Sequence, residues 1–323
     1  MANIRWGYAV NQWRNLETDL ARKDQMDSAF KVVAVAGFKA LEITDSALGG
    51  HTIPGFFGST HAFMEYIRSC GLDCVSSYFS NLDYASPTNP GDHARMEDSA
   101  KRLADFLVEI GGTRLVVRPM GPFCYEAPVT DDKIKMVAEL WSRIGTITQS
   151  VGVETSMHID FLCGVRNEDQ IGKLLQWSNP KTVGITLDTA ELTIAGIDPV
   201  KFYEKHHARV NHVHFKDAIF TDKLDEYKDN KAEIDYWPVP LIMAGTRQKV
   251  DRWYYEMGTP GGLVDLPSVL KSLYEHDYDG WIITESDQSP HVEESVLLNA
   301  WYRKRVLAPV EEEAQQLTHA HSA

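Results

Sequence analysis

Four short runs rich in Val, Ile and Leu end in ionisable side chains, where a purely structural strand would carry another aliphatic residue. One residue from each run gives the set His158, Asp188, His214 and Glu285. Two imidazoles and two carboxylates, without a thiolate, suit a divalent metal that keeps open positions for substrate oxygens. This donor set favours Mn²⁺, with Zn²⁺, Co²⁺, Fe²⁺ and Mg²⁺ as alternatives. The competing interpretation is a set of unrelated polar residues, each hydrogen-bonded to a nearby loop.

The spacing of these four residues fits side chains that meet at one end of a barrel. His158 and Asp188 are 30 residues apart, and Asp188 and His214 are 26 apart. Each interval is about one strand-plus-helix unit of a ~250-residue barrel. The 71 residues from His214 to Glu285 equal one such unit plus an insertion of about 40 residues. We therefore predict that the four side chains converge from neighbouring strands.

The alternation of side chains along a strand identifies further candidates. Glu154, His158 and Asp160 share a parity and are predicted to face the barrel axis. Glu154 is thus a candidate substrate contact and an alternative ligand to His158. On the seventh strand, Lys216 has the parity of the predicted ligand and is a candidate for polarising a carbonyl group or stabilising an enolate oxygen. The alternative for Lys216 is an ion pair with Asp217 or Glu285.

The ends of the remaining strands supply candidates for substrate contact, because all strand ends on one face of a parallel barrel line the same mouth. Trp13 and Tyr78 carry rings that are predicted either to stack on a substrate or to pack into the core. These strand-end residues are Asn11, Trp13, Glu42, Tyr78 and Arg118.

The chain that positions these residues repeats one unit, which consists of an amphipathic helix, a glycine and a short aliphatic strand. Strands are predicted near 4–10, 39–44, 72–78, 113–118, 152–158, 183–188, 210–215 and 280–285. Helices are predicted near 24–36, 60–70, 92–110, 130–150, 167–177, 198–206, 265–276 and 291–305. Eight alternating units favour a single (β/α)₈ TIM barrel of the α/β class. An open sheet is the alternative, but no Gly-x-Gly-x-x-Gly follows the first strand.

The barrel is predicted to occupy residues 1–309 as one domain. Residues 218–262 form a long insertion between strands seven and eight, because the barrel closes only after them, and this insertion is predicted to form a lid or an interface. Residues 310–323 are predicted to be a disordered tail. The insertion residues expected to pack in a lid or interface are Trp237, Pro238, Pro240, Trp253, Tyr254 and Tyr255.

The composition excludes several classes of function. With 32 Lys and Arg against 46 Asp and Glu, the 323-residue chain has a formal net charge of −14, which disfavours binding to nucleic acid or anionic lipid. No apolar run approaches the ~20 residues of a membrane span, and the first residues lack the apolar core of a signal peptide. The four cysteines show no zinc-site spacing and are interpreted as reduced thiols, so we expect a cytoplasmic protein.

At the strand ends the sequence resembles a known family. The motifs GFKALEI, LDTAEL, HVHFKDA and GWIITESDQSP are similar to those of the sugar phosphate isomerase/epimerase superfamily, the xylose-isomerase-like barrels. The resemblance covers about residues 4–306. Within the superfamily, NQWRN and the segment after MHID resemble inosose dehydratases and the α subunits of C-glycoside deglycosidases. The long aromatic insertion is similar to that of the deglycosidase subunits.

This resemblance implies roles for individual residues. The superfamily's metal ligands fall on His158, Asp188, His214 and Glu285, the first at a position where many members have Glu. Where members often read Asp-Thr-Gly-His, this chain has Glu191 in place of the histidine, which makes Glu191 a candidate substrate contact. Asp160 replaces a second histidine of the epimerases.

The chemistry that the resemblance implies begins with a metal-held keto-sugar that loses a proton next to its carbonyl group. The metal and Lys216 would stabilise the enolate, and a base at His158 or Asp160 would take the proton. Elimination of the C1 substituent from a 3-keto-glycoside is the function that we predict, with a small β subunit as a partner in an oligomer. Inosose dehydration and sugar epimerisation are the alternatives, and a sugar-binding or inactive partner subunit is the non-enzymatic one.

Overall fold

The chain folds into a closed barrel of eight parallel strands. The computed structural model describes residues 2–13, 23–45, 52–122, 126, 128–222 and 252–322. The strands are β1 Asn3–Ala9, β2 Ala40–Thr44, β3 Cys74–Ser80, β4 Arg114–Val117, β5 Glu154–His158, β6 Val183–Asp188, β7 Val210–Phe215 and β8 Asp279–Thr284. They follow one another in chain order, and β8 also pairs with β1. The predicted TIM barrel is therefore confirmed, with every strand within about two residues of its predicted position.

Helices surround the barrel. They are α1 Lys23–Val35, α2 Thr52–Phe57, α3 Thr60–Ser69, α4 His93–Glu109, α5 Asp131–Gln149, α6 Glu168–Trp177, α7 Thr189–Ile194, α8 Pro199–His206, α9 Leu266–Glu275, α10 Val292–Tyr302 and α11 Ala308–Ser322. Gly111 and Gly152 have φ values of 78° and 86°, a left-handed conformation that lets the chain leave a helix and enter the next strand. Of the helices in these described ranges, none has the length and apolar composition that a membrane span requires.

Three of these helices were not predicted, and they are α2, α7 and α11. The short helix α7 begins directly after β6, because the Asp188 side chain caps it by accepting a hydrogen bond from the backbone N–H of Glu191 at 2.9 Å. One residue thus ends a strand, caps a helix and faces the barrel mouth.

The segment 310–323 was predicted to be a disordered tail, but α11 continues through Ser322. Val310 and Ala314 pack against the core, and the indole N–H of Trp6 donates a hydrogen bond to Glu311 Oε1 at 2.7 Å. The prediction failed because these contacts reach across the molecule to β1 and α9, and the local sequence has no clear apolar period that would reveal them.

Most of the insertion lies outside the described residues, including Trp237, Pro238 and Pro240. Its last part is described, and Trp253 and Tyr254 there are buried. They pack in a small apolar cluster whose other members are Phe161, Leu162, Ala190, Ile194 and Ala218. The described end of the insertion therefore packs onto helix α7 and onto the segments that follow β5 and β7.

Polar side chains fill part of the barrel interior below the mouth. Ser77 donates a hydrogen bond to Glu42 Oε2 at 2.7 Å, and His212 Nε2 lies 2.8 Å from the same oxygen. The hydroxyl groups of Ser156 and Thr186 are 2.7 Å apart. Because β2 and β7 are not neighbours in the sheet, the contact between Glu42 and His212 must cross the barrel axis. This network forms a polar floor beneath the carboxyl ends of β5 to β8.

Candidate metal centre and active site

Four side chains meet at the carboxyl ends of β5 to β8. His158, Asp188, His214 and Glu285 are all buried, and each offers one nitrogen or oxygen atom within 4.8 Å of the others. His158 Nε2 lies 3.1 Å from Asp188 Oδ2. His214 Nδ1 lies 3.4 Å from both Asp188 Oδ2 and Glu285 Oε1. The structure thus brings the four residues predicted as ligands to one point.

Both histidines are oriented by a carboxylate on the ring nitrogen that faces away from this cluster. His158 Nδ1 lies 2.8 Å from Asp160 Oδ1, and His214 Nε2 lies 3.0 Å from Glu42 Oε1. A carboxylate on one ring nitrogen fixes the tautomer and directs the other nitrogen towards a metal. Although burial opposes a charged imidazole, Asp160 raises the pKa of His158 to about 9. Glu42, against the same effect of burial, raises the pKa of His214 well above its ordinary value.

The ammonium group of Lys216 lies among the carboxylates at the edge of the cluster. Its Nζ is 3.1 Å from Asp188 Oδ2 and 3.3 Å from Asp287 Oδ2, and it also contacts Glu285. Burial disfavours the charged amine, but these carboxylates raise its pKa well above the ordinary value. Asn11 donates hydrogen bonds to Glu285 Oε2 at 2.8 Å and to Asp287 Oδ1 at 2.7 Å. A fixed positive charge therefore lies directly beside the predicted ligands.

A second cation, Arg118, closes the side of the site formed by β4 and β5. It donates hydrogen bonds to Asp160 Oδ2 and, at 2.8 Å, to Asn81 Oδ1. Its guanidinium group also stacks 4.6 Å from the centre of the Phe79 ring, which packs on the imidazole of His158. Burial opposes ionisation of Asp160, but the charges of Arg118 and His158 hold its pKa below the usual range. Asp160 is therefore an anion with a basic group at each oxygen.

Glu191 joins the insertion to the site. Its Oε1 accepts a hydrogen bond from the Tyr254 hydroxyl at 2.7 Å, and its Oε2 accepts one from the backbone N–H of Phe161 at 2.8 Å. Burial, together with the charge of Asp160, raises the pKa of Glu191 to about 8, so its carboxyl group is mostly protonated at neutral pH. The Tyr254 ring lies 4.2 Å from Lys216 Nζ. The last part of the insertion therefore forms one wall of the site.

In the described part of the chain, the cluster has a buried nitrogen without a hydrogen-bond partner and an environment that favours positive charge, and both features fit a divalent cation. His214 Nδ1 is buried and has no hydrogen-bond partner among the described residues, although Asp188 and Glu285 lie close to it. Buried polar atoms rarely lack a partner, and the raised pKa of His214 indicates that positive charge is favoured here. A second group of side chains close enough to hold a metal is Glu42, His212 and His214, which shares His214 with the first and lies deeper in the barrel.

The fold and the sequence together decide the family. The model of the xylose isomerase-like TIM barrels matches residues 30–305, well over half of the chain. The protein belongs to the xylose isomerase-like TIM barrel family. The resemblance inferred from the strand-end motifs is thereby confirmed at the level of the family.

Similar proteins include an inosose dehydratase, by sequence, and an L-ribulose 3-epimerase, by structure. An inosose dehydratase from Clostridium beijerinckii is 26% identical over 301 residues, which span 90% of this chain and 91% of that protein. The structure of an L-ribulose 3-epimerase has a TM-score of 0.70 at 15% identity and covers 100% of this chain and 99% of its own. The IolI protein, solved with a bound zinc atom, has a TM-score of 0.66 at 14% identity, with 96% and 99% covered. At these identities the two structures show that the barrel fold is shared.

The other predicted site residues fall into two groups. Most lie around the four predicted ligands, whereas Glu154, Trp13 and Tyr78 lie elsewhere. Asp160 and Lys216, predicted to be catalytic, both contact predicted ligands. Lys216 pairs with Glu285 and its neighbours, as one of the alternatives predicted. The candidate substrate contacts found at the mouth are Asn11, Arg118 and Glu191.

Glu154 was predicted as a substrate contact and alternative ligand, and this prediction is wrong. It is the first residue of β5, at the end of the barrel opposite to the cluster, and its side chain is 51% exposed. It pairs with Arg114 and accepts a hydrogen bond from Asn211 at 3.1 Å. Side-chain parity was read correctly, but parity does not tell which end of the barrel a residue occupies.

The two aromatic candidates belong to the core instead of the mouth. Tyr78 is buried and meets Phe106 of α4 edge to face, with ring centroids 6.2 Å apart, so it faces the outer helices. Trp13 is buried and packs edge to face on Tyr8. For both residues the packing alternative holds.

Glu42 was predicted only as a strand-end candidate for substrate contact and Asp287 was given no role, but the structure places Glu42 against His214 and Asp287 against Lys216. A signal exists for Glu42, since a charged residue stands between Leu41 and Ile43 in a strand whose residues are all buried. Asp287 lies two residues after Glu285, with the parity of that predicted ligand. Their partners, however, come from distant strands and are visible only in the folded chain.

We predict that Glu42→Gln weakens metal binding about 10- to 100-fold, because the carboxylate that orients and polarises His214 is replaced by a neutral amide. Gln keeps the size of the side chain and can still accept the hydrogen bond from Ser77, so the fold should persist. Calorimetric titration with Mn²⁺ and with Zn²⁺ measures the change. Glu154→Gln is the matched control, since it removes a carboxylate from the far end of the barrel. Equal affinities for Glu42→Gln and the parent protein would contradict the assignment.

Proposed function

We propose that this protein is a metal-dependent lyase that acts on a keto-sugar. It removes a proton from the carbon next to the carbonyl group and expels a substituent from the following carbon. The observation that carries the proposal is the meeting of His158, Asp188, His214 and Glu285, with the ammonium group of Lys216 at their edge. Such an arrangement suits a reaction in which negative charge develops on a carbonyl oxygen.

The residues that would hold the metal are these four ligands. A divalent ion bound there supplies a Lewis acid for the carbonyl oxygen. Nitrogen and oxygen ligands without a thiolate support our choice of Mn²⁺. Zinc is the second choice, since the IolI protein of the same fold carries it.

The substrate that we propose is a 3-keto-glycoside. The C2–H bond breaks, its proton passes to a base, and its electron pair forms the C2–C3 double bond of an enolate. The enolate then restores the carbonyl group and forms a C1–C2 double bond, while the bond from C1 to its substituent breaks. The substituent leaves with a proton from an acid, so the net change is an elimination that needs no oxidant or reductant.

Lys216 and Asp287 are assigned to the first half of this reaction. The Lys216 ammonium group would hold the developing charge on the oxygen. Asp287 is assigned as the base because its side chain is 10% exposed, whereas those of Asp160 and Glu285 are 4% and 2% exposed. Asp287 is thus the carboxylate of this group that a substrate entering the mouth reaches most easily.

Asp160 and Glu191 are assigned to supporting and later steps. Asp160 was predicted as a base, but it is less exposed than Asp287 and lies against the imidazole of His158, so we assign to it the orientation of His158. Glu191, with its raised pKa, keeps a proton at neutral pH that it can give to the leaving group. A small partner subunit, as in the deglycosidases that the sequence resembles, is proposed to assemble at the insertion.

A second candidate function is the dehydration of an inosose. It is favoured by the inosose dehydratase that aligns over 90% of this chain. The same first step is then followed by loss of a hydroxyl group as water. Reprotonation of the enolate on its other face would instead make the protein an epimerase.

We expect a substrate labelled with deuterium on the carbon next to the carbonyl group to release that label to water during turnover. The test compares a 3-keto-C-glucoside, an inosose and a ketohexose, each with the parent protein and with Asp287→Asn. The substrate that reacts identifies the second half of the reaction. Asp287→Asn should lose label release by about a hundredfold or more, as expected when a general base is removed. Turnover with the label retained would contradict deprotonation, and no turnover of any of the three would favour a sugar-binding protein.

A further inference from the structure

Helix α10 is apolar on the side that faces the barrel and also on the side that faces outward. Val292 and Val296 are buried in the core, whereas Leu297, Leu298 and Trp301 are 50%, 54% and 60% exposed. A helix on the surface of a globular protein normally carries polar residues on its outer side, and a helix that is apolar all round is normally covered all round. The outer side of α10 therefore has the composition of a covered surface.

The three exposed side chains form one stripe, which we call the α10 stripe. Leu297, Leu298 and Trp301 stand at positions i, i+1 and i+4 of the helix, so they lie within about 100° of one another around its axis. Together they expose roughly 300 Å² of apolar surface, which is comparable to the largest patch on a typical monomeric protein. Patches of this size are often interaction sites.

The neighbouring helix α1 widens this apolar surface. Ser28 of α1 donates a hydrogen bond to Glu293 Oε1 at 2.6 Å, and Arg303, at the other end of α10, donates one to the carbonyl oxygen of Gly37 at 3.2 Å. The two helices therefore run side by side in the same direction. Val35 lies seven residues after Ser28, on the same face of α1, and is exposed. It adds an apolar side chain beside the end of the α10 stripe.

The charged residues at the two ends of the stripe have opposite signs. Glu293 and Glu294 precede it, Lys304 and Arg305 follow it in the π-helical turn that continues α10, and all four are exposed. Glu294 and Lys304 are ten residues apart, or about 15 Å along a helix, so they cannot pair with each other within one chain. Both groups are thus available to a charged partner on another chain.

The stripe and its flanking charges are arranged symmetrically about the level of Asn299. Leu297 and Trp301 lie two residues to either side of this level, and Glu294 and Lys304 lie five residues to either side. In a two-fold dimer one surface packs on an identical copy of itself, so a residue on one side of the axis meets a residue from the other side. A second copy of α10 running in the opposite direction would therefore place Leu297 against Trp301 and Glu294 against Lys304, each pair occurring twice.

We propose that the α10 stripe is the interface of a homodimer, in which two antiparallel copies of α10 pack across a two-fold axis. The paired charges favour this occupant, because the net charge of −14 on each chain otherwise repels a second copy. The same net charge disfavours an anionic lipid surface. The proposal does not depend on the proposed function, and this surface on the outside of the barrel is separate from the insertion, where a small subunit is proposed to assemble.

The first test is the oligomeric state of the purified protein. Sedimentation velocity between about 1 and 100 µM protein should show a monomer–dimer equilibrium with a Kd on the order of 10 µM or below. Trp301→Asp should raise this Kd about a hundredfold or more, because it removes an aromatic anchor and buries an unpaired charge in each copy. Val108→Asp is the matched control, since Val108 is equally exposed on α4, and it should leave the Kd within about twofold.

The second test exchanges the charges at the ends of the stripe. Glu294→Lys and Lys304→Glu should each raise the Kd about tenfold at low salt, because like charges then meet at both ends of the interface. The double variant Glu294→Lys/Lys304→Glu should return the Kd to within about threefold of the parent value, since opposite charges meet again. Lys101→Glu, an exposed position on α4, is the control for a change of net charge.

The substituted side chains are exposed, and circular dichroism of each variant checks that the barrel is intact. Should Trp301→Asp fail to fold, the charge variants test the same surface. A parent protein that remains monomeric up to about 100 µM would overturn the proposal. A dimer that Trp301→Asp leaves intact would also overturn it, because another surface then joins the copies. So would a double charge variant that does not recover dimerisation, because the antiparallel pairing is part of the proposal.

Discussion

Asp188→Asn should lower kcat/KM by at least about a thousandfold, which corresponds to about 4 kcal/mol of transition-state stabilisation. The substitution removes the charge of a predicted metal ligand that lies within 4.8 Å of the other three. It keeps the shape of the side chain and its role as the cap of α7, because Asn accepts the backbone hydrogen bond from Glu191 as well as Asp does. Lost activity would therefore reflect lost metal and not a lost helix.

The control for this prediction is Asp198→Asn. Asp198 caps α8 in the same way but lies outside the site, so this variant should retain full activity. Glu285→Gln should behave like Asp188→Asn, since it removes the charge of a second ligand while leaving an acceptor for Asn11. An Asp188→Asn variant that keeps more than about a tenth of the parent activity would show that the metal, if bound, does not take part in the reaction.

Lys216→Met should lower kcat by about 100- to 1,000-fold without weakening metal binding. The ammonium group contacts Asp188 and Glu285, so its removal takes away a competitor of the metal for the same carboxylates. The backbone at this position should stay in place, because the Lys216 carbonyl and N–H groups both bond to the Thr189 hydroxyl. Steady-state kinetics and metal titration of the same preparation measure the two effects.

Lys205→Met is the control for loss of a lysine. Lys205 pairs with Glu168 on the surface and should be neutral for both activity and metal binding. If Lys216→Met loses metal and activity in parallel, the lysine supports the centre structurally and has no separate role in catalysis.

The fold could be predicted from the sequence because its signals are local. Each strand of the barrel is short and mostly buried, and each strand after β1 follows a helix, so eight units appear in order along the chain. Residues 310–323 were wrongly predicted to be disordered, because their structure depends on contacts with residues far away along the chain. The helix that forms there depends on a hydrogen bond between Glu311 and Trp6, which are 305 residues apart.

The meeting of the four predicted ligands could be predicted because the barrel turns spacing along the chain into proximity. His158, Asp188 and His214 each end a strand or lie one residue from its end, and neighbouring strands put them side by side. The contact between Glu42 and His214 could not be predicted, because it crosses the barrel axis between β2 and β7. The prediction for Glu154 failed because this residue has the same side-chain parity as His158 but lies at the amino end of β5, away from the predicted ligands.

Direct titration of the purified protein with metal is the most direct test of the proposed centre. After exhaustive chelation, the parent protein should be inactive and should bind close to one Mn²⁺ or Zn²⁺ per chain, with activity restored in step with occupancy. Saturating metal should also raise its thermal unfolding midpoint, since a ligand at about 100 times its Kd adds about 2.7 kcal/mol to stability. Asp188→Asn should show neither the binding nor the stabilisation. Full activity in the chelated, metal-free parent protein would contradict a metal centre at His158, Asp188, His214 and Glu285.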